Sequence, residues 1–133
     1  MIQGIHHINF IVRNLDAAID RWERILGTAV TSRESLEARG VELARFKLAD
    51  TWIVLVQPVR SGTVPARFLE THGEGFFLMS LEADSLADEI DRLGASMFSG
   101  EQRTGLDDWR VIDLDIDQTF GAQLQLVATS ANT

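Results

Sequence analysis

The chain contains no cysteine, which removes disulfides, thiolate nucleophiles and cysteine-ligated zinc together. It also lacks surplus cation. Twelve Lys and Arg against 20 Asp and Glu leave a net charge of −8, whereas nucleic acid and anionic membrane both require clustered positive charge. No apolar run approaches a membrane-spanning length. The opening Met1-Ile2-Gln3-Gly4-Ile5-His6-His7 lacks the basic flank and long apolar stretch of a signal peptide. Gly73-Glu74-Gly75 lacks the strand-then-helix context of a phosphate cradle. Ser80, Ser85, Ser96 and Ser99 have no surroundings resembling an activated nucleophile. The expectation is a cytoplasmic protein that handles a small molecule.

What the sequence does have is a repeat. At an offset of 71, Leu15-Asp16-Ala17-Ala18-Ile19-Asp20-Arg21-Trp22 lies over Leu86-Ala87-Asp88-Glu89-Ile90-Asp91-Arg92-Leu93, with Leu, Ile, Asp and Arg matched. The same offset lays Ile53-Val54-Leu55-Val56 over Leu124-Gln125-Leu126-Val127, and Asn14 over Ser85. One shift that serves a helix and a strand implies two copies of one supersecondary unit, each burying its apolar face with the other's help. With 133 residues, 45% of them hydrophobic, the expectation is a single domain with a substantial core.

Along the chain, residues 5–12 read as a strand that splits by parity. His6, Ile8, Phe10 and Val12 face one way, and Ile5, His7, Asn9 and Ile11 the other. Asn14 can cap a helix in which Leu15, Ala18, Ile19, Trp22 and Leu26 share a face, and Gly27 stops it. Strands are predicted at about 29–37, 41–48 and 51–57. A connector over 60–75 carries a helical turn or two from Pro65 to Thr71. The second copy follows: strand 76–83, cap Ser85, helix 86–93, turn Gly94, and strands near 95–98, 109–116 and 121–128. The predicted fold is α+β. Two βαβββ modules (4–59 and 76–128) form an open, cup-shaped, eight-stranded sheet with helices on its outer face.

A paired βαβββ chain of this length resembles the vicinal oxygen chelate superfamily, which includes glyoxalase I, methylmalonyl-CoA epimerase, extradiol dioxygenases and bleomycin-resistance binding proteins. The resemblance rests on Gly4-Ile5-His6-His7-Ile8, on Asn14-Leu15-Asp16-Ala17-Ala18, and on Asp50-Thr51-Trp52-Ile53-Val54-Leu55-Val56-Gln57-Pro58. Phe68-Leu69-Glu70-Thr71-His72-Gly73-Glu74-Gly75 and Phe120-Gly121-Ala122-Gln123-Leu124-Gln125-Leu126-Val127 look like the epimerase branch. In the enzymes a divalent metal takes ligands from the first and last strand of each module. The resemblance carries those positions to His7, Val54, Leu78 and Gln125, each pair 47 residues apart. Two of the four are hydrocarbons. Loss of one outer partner costs about 10–100-fold in affinity, so loss of two ligands costs on the order of 3–5 kcal/mol. No metal cofactor is expected. If one is present, His7 and Gln125 are its remaining ligands.

The resemblance implies further roles. Glu37 precedes Gly40-Val41 in a segment like that in which epimerases place a catalytic carboxylate, and its alternative is a solvated strand charge. His7 is either a substrate contact and base or a relic imidazole bonded to Gln125 or Asn9. His6 reads as packing and His72 as capping. Asp113, Asp115 and Asp117 alternate with Ile112, Leu114 and Ile116 and are either a shared acidic face, able with His7 to hold a displaced metal, or a wetted strand end. Asn9, Trp52, Val54, Leu78, Ser80, Gln123 and Gln125 are the expected ligand-binding lining, greasy with a few uncharged hydrogen-bonders. Trp52 is either a surface on which an aromatic or otherwise flat ligand stacks or a core residue.

Three functions follow. The first is a metal-free binder of a small organic molecule, with atypical lyase or isomerase activity. The second is a glyoxalase- or epimerase-like enzyme with a displaced metal. The third is a structural dimer with a vestigial cup. A homodimer is expected in each case.

Overall fold

Each repeat opens its helix with a capping side chain, as the spacing predicts. Asn14 accepts the Ala17 N–H and Ser85 the Asp88 N–H, so an otherwise orphaned first-turn donor is satisfied in each. The computed structural model describes residues 1–129. Its strands are β1 (Ile2–Ile11), β2 (Ser32–Leu36), β3 (Val41–Leu48), β4 (Thr51–Pro58), β5 (Gly75–Ala83), β6 (Phe98–Thr104), β7 (Arg110–Leu114) and β8 (Leu124–Ala128). Its helices are α1 (Leu15–Leu26), α2 (Val64–His72) and α3 (Leu86–Leu93). The strands follow the order β2-β3-β4-β1-β5-β8-β7-β6 in one open sheet, and the fold is α+β as expected. The described chain divides into two compact units, residues 8–77 and residues 1–7 with those from 78 onward.

In the unit spanning 8–77, β2, β3 and β4 form an antiparallel meander in which Ser32 pairs with Arg45 and Arg45 with Val54. Period-two alternation sends Ala44, Phe46 and Leu55 to the α1 side, where they join Val12 and Leu15 in a core that Ile19, Trp22 and Leu26 cover. Full burial of a side chain such as Phe46 or Leu55 contributes roughly 1.5–3 kcal/mol. Gly27 ends α1 in the left-handed region, φ 72°, with its N–H on the Glu23 carbonyl. The Gln57 side chain accepts the Leu15 N–H at 2.7 Å, which ties β4 to the start of that helix.

In the other unit β8 lies between β5, to which it is parallel, and β7, to which it is antiparallel. Ala83, Leu86, Ile112, Leu126 and Ala128 form its core, with Ile90 and Leu93 of α3 and Phe98 packed against them. Glu89 of α3 is 1% exposed, an unusual place for a carboxylate. Arg92 and the Met1 ammonium neutralise it, at 2.7 and 2.8 Å.

Several boundaries differ from the sequence pattern. The strand expected near 95–98 is a 3-10 turn over Ala95–Met97, closed by the Met97 N–H on the Gly94 carbonyl, and the strand proper runs from Phe98 to Thr104. The strand expected at 29–37 begins only at Ser32, and Glu37 falls in a 3-10 turn, Glu37–Arg39. The last two strands are shorter than expected because the Asp115–Ala122 segment is spent on turns, with the Asp115 carboxylate accepting the Asp117 N–H.

Candidate functional site

The unit containing residues 1–7 and 78 onward carries a hydrogen-bonded chain of four side chains. Parallel pairing sets Ser80 level with Gln125, and both are buried. The Ser80 hydroxyl donates to Gln125 Oε1 at 3.0 Å, and Gln125 Nε2 donates to Asp113 Oδ1 at 3.3 Å. The Asp113 carboxylate in turn receives Arg103 through Nη1 at 2.7 Å and Nη2 at 3.2 Å, the forked geometry suited to a guanidinium. Of the three aspartates expected on one face, only Asp113 lies in a strand. Asp115 and Asp117 are turned aside into the loop, so no carboxylate array forms. Leu78 is 8% exposed and Gln123 half-buried.

His6 and His7, though of opposite parity, meet at their ring nitrogens, Nδ1 to Nδ1 at 2.9 Å, and both are buried. Trp109 holds them. His7 stacks on it with centroids 5.8 Å apart, and His6 meets it edge-on at 4.4 Å. The packing role expected of His6 is therefore played against an indole and an imidazole. Trp109 is set by the turn Leu106–Asp108, in which Asp107 and Asp108 take φ of 51° and 61°. Sequence reasoning missed Trp109 and Arg103, because neither lies in a repeated motif. The adjacent aspartates, which tolerate the left-handed region, were the available signal for a sharp turn.

In the unit spanning 8–77, one face of the β2–β4 meander is polar in an unexpected way. Arg45 is 5% exposed. Its Nε and Nη2 reach the two Glu34 oxygens at 2.9 and 3.1 Å, and Nε also lies 3.1 Å from Ser32 Oγ. Its guanidinium carbon and the Lys47 ammonium each sit 4.8 Å from the Trp52 ring centre, the range of a cation–π contact. A ligand stacking on Trp52 therefore meets an indole that already carries cations. Arg45 was missed as well, although two cations, Arg45 and Lys47, at the parity of Val41 and Leu43 were legible. Val54 is 4% exposed on this face. Asn9 presents a buried Oδ1 that accepts no hydrogen bond from any described residue. Glu37 is exposed, and its backbone carbonyl is the group engaged, accepting from the Gly40 N–H and from Arg60. His72 ends α2 exposed, stacked on Phe68 at 4.5 Å. A groove of about 370 Å³ beside α1, lined by Phe10, Trp22, Arg21 and Glu74 among others, contains none of the expected ligand-binding residues.

Residues 6–112 match the family model of the glyoxalase/bleomycin resistance protein/dioxygenase superfamily. The chain belongs to that superfamily. It is 30% identical over 110 residues to an ethylmalonyl-CoA/methylmalonyl-CoA epimerase of Cereibacter sphaeroides, covering 79% of this chain and 82% of that one. It is 25% identical over 89 residues to the uncharacterized protein YqjC of Bacillus subtilis, spanning 67% of this chain and 64% of that protein's length. Among solved structures it superposes on a single-residue variant of Streptomyces coelicolor methylmalonyl-CoA epimerase in complex with 2-nitronate-propionyl-CoA, with a TM-score of 0.88 and 24% identity, covering 98% of this chain and 100% of that one. That likeness is one of fold.

The metal-ligand positions that the resemblance implies are His7, Val54, Leu78 and Gln125. Of the carried-over positions, Val54 and Leu78 are buried hydrocarbons. Gln125 has its oxygen occupied by Ser80 and its nitrogen by Asp113. Among the described residues no group of three or more His, Cys, Asp or Glu side chains is placed to hold a metal ion. Hydrocarbon side chains at Val54 and Leu78 do not fit a metal ion's need for lone pairs, and Asp115 and Asp117 lie in a turn outside the strand that carries Asp113. No helix among the described residues is long and apolar enough to cross a membrane.

Proposed function

We propose that this protein binds a small organic molecule through the superfamily fold without a resident metal ion, and that any turnover it carries out is a proton-transfer isomerisation or lyase step run by side chains alone. The observation that carries the reading is the combination of hydrocarbon at Val54 and Leu78 with a Gln125 amide committed at both ends to Ser80 and Asp113. An amide so engaged, together with two positions that have no lone pair to offer, is a poor start for coordination. Support for an acyl-CoA as ligand comes from the epimerase relative at 30% identity. On that version Glu37 and His7 are the acid–base candidates. Glu37 is exposed, which favours binding over efficient turnover.

Elemental analysis of purified protein, followed by a thermal-shift screen against acyl-CoA thioesters and aromatic acids, tests the reading. A metal content well below one ion per chain together with ligand stabilisation of several degrees is expected. Stoichiometric nickel, cobalt, zinc or iron overturns it. Deuterium uptake at the α-carbon of methylmalonyl-CoA in heavy water separates catalyst from binder, and loss of uptake in Glu37→Gln with binding retained assigns the base.

A further inference from the structure

The two repeats treat one equivalent pair of positions in opposite ways. In the second copy Ser80 and Gln125, 45 residues apart, satisfy each other across parallel strands at 3.0 Å. One repeat earlier the same positions are Asn9 and Val54. The Val12 N–H donates to the Val56 carbonyl at 2.9 Å, the bond that parallel pairing at an offset of 45 requires, and that offset sets Asn9 level with Val54. Valine has no hydrogen to donate. Asn9 Oδ1 is left buried with no described donor, a position that calls for a partner from elsewhere.

The register extends the row. Val54 pairs with Arg45 and Lys47 with Trp52, so Asn9, Val54, Arg45, Trp52 and Lys47 share one face of this unit. Strands lie about 4.8 Å apart, which sets Asn9 and Arg45 two strands, or about 10 Å, from each other. Arg45 is held rigidly by Glu34 and Ser32, whereas the Lys47 ammonium is exposed and free to turn from the indole to an incoming anion.

We infer that Asn9 is a ligand acceptor, and that the occupant of this face is a small organic anion carrying a hydroxyl or amide N–H donor at the end opposite its negative charge. The inference rests on the metal-free binding reading and sharpens it. Asn9 selects for the donor because a ligand without one leaves the buried oxygen unpaired in the complex. The Arg45–Trp52–Lys47 group selects for the anion.

Matched probes test this by titration calorimetry: 4-hydroxybenzoate, benzoate, 4-methoxybenzoate and 4-hydroxybenzamide. The expected result is that 4-hydroxybenzoate binds about tenfold or more tightly than benzoate or the methyl ether, and likewise than the neutral amide. In Asn9→Leu the hydroxyl preference disappears while the unliganded protein melts no lower than wild type. A second variant, Val54→Ser, gives Asn9 an internal donor as Ser80 does for Gln125, and it abolishes the preference with the fold intact. Lys47→Met removes the preference for the acid over the amide. Equal binding of hydroxylated and unhydroxylated acids overturns the inference, as does a lowered melting temperature in Asn9→Leu, which assigns the oxygen to a structural water. If acyl-CoA stabilises the protein and none of the benzoates binds, this inference fails while the binding function stands. If neither class binds, both fail.

Discussion

Ser80 donates its hydroxyl to Gln125 at 3.0 Å in a buried setting, and that contact holds the amide in place for Asp113. Removing the donor alone leaves a buried carbonyl oxygen unpaired. Ser80→Ala should therefore cost about 1–3 kcal/mol in urea denaturation. The double variant Ser80→Ala with Gln125→Leu should cost less than the sum of the singles, since no orphan remains at that pair. Full additivity would mean that the two side chains do not depend on each other.

The repeat made most of the fold legible. Asn14, Ser85 and Gly27 fixed helix ends that the structure reproduces, because caps are local chemistry. The hairpin at Ala49-Asp50 and the strands on either side were equally local. Strand ends near Ala95 and Asp115 were misread because turn-forming side chains there compete with the ladder. The hydrocarbon positions Val54 and Leu78 were legible through the family resemblance, which their equal spacing from His7 and Gln125 supports. The partners of Gln125 could not, since Asp113 and Arg103 reach it through the β6–β7–β8 pairing, which no linear pattern encodes. Trp109 escaped notice for the same reason. It owes its place to a turn with two left-handed aspartates, not to any periodicity.

Stability should fall at both ends of the pH scale through one cluster. Hydrogen bonds from Arg92, then from the Met1 ammonium, hold the Glu89 carboxyl below its usual 4.5, and the Met1 ammonium likewise holds Asp84 below 3.8. Depressed carboxylates contribute stability that is complete above their unfolded values and is lost as pH falls through the folded ones. Asp84, then Glu89, raise the Met1 amine above 8.0, so its contribution is complete below 8.0 and is lost as pH rises through the folded value. Melting temperature should be flat between about pH 5 and 8 and decline outside that window. Glu89→Gln should lower stability at pH 7 by about 1–3 kcal/mol and make both limbs shallower. Unchanged limbs in that variant would place the titrating groups elsewhere.

The β3–β4 hairpin stores backbone strain that one substitution can release. Leu48 pairs with Thr51 across a two-residue turn whose first member, Ala49, lies at φ 48°. A positive φ at that position suits glycine, while a β-carbon there costs about 1–2 kcal/mol. Part of the gain is offset by the greater freedom of glycine in the unfolded chain. Ala49→Gly should therefore stabilise the protein by about 0.5–1 kcal/mol, read as a higher urea midpoint at unchanged slope. Destabilisation would mean that Ala49 does not hold the left-handed backbone conformation in solution.

If missing donors are what bars a metal, supplying them should admit one. Leu78→His and Gln125→Glu place an imidazole and a carboxylate in the unit that also carries His7. Without metal the double variant should melt below wild type, because a buried imidazole replaces a well-packed aliphatic group and a carboxylate replaces an amide engaged with Ser80 and Asp113. Millimolar nickel or cobalt should then raise its melting temperature by several degrees while leaving wild type unmoved, since a ligand that binds only the folded state stabilises it by mass action. A metal response already present in wild type would show that coordination never depended on donors at these positions. A variant that folds and still ignores both metals would show that added donors in this unit are not enough to admit one.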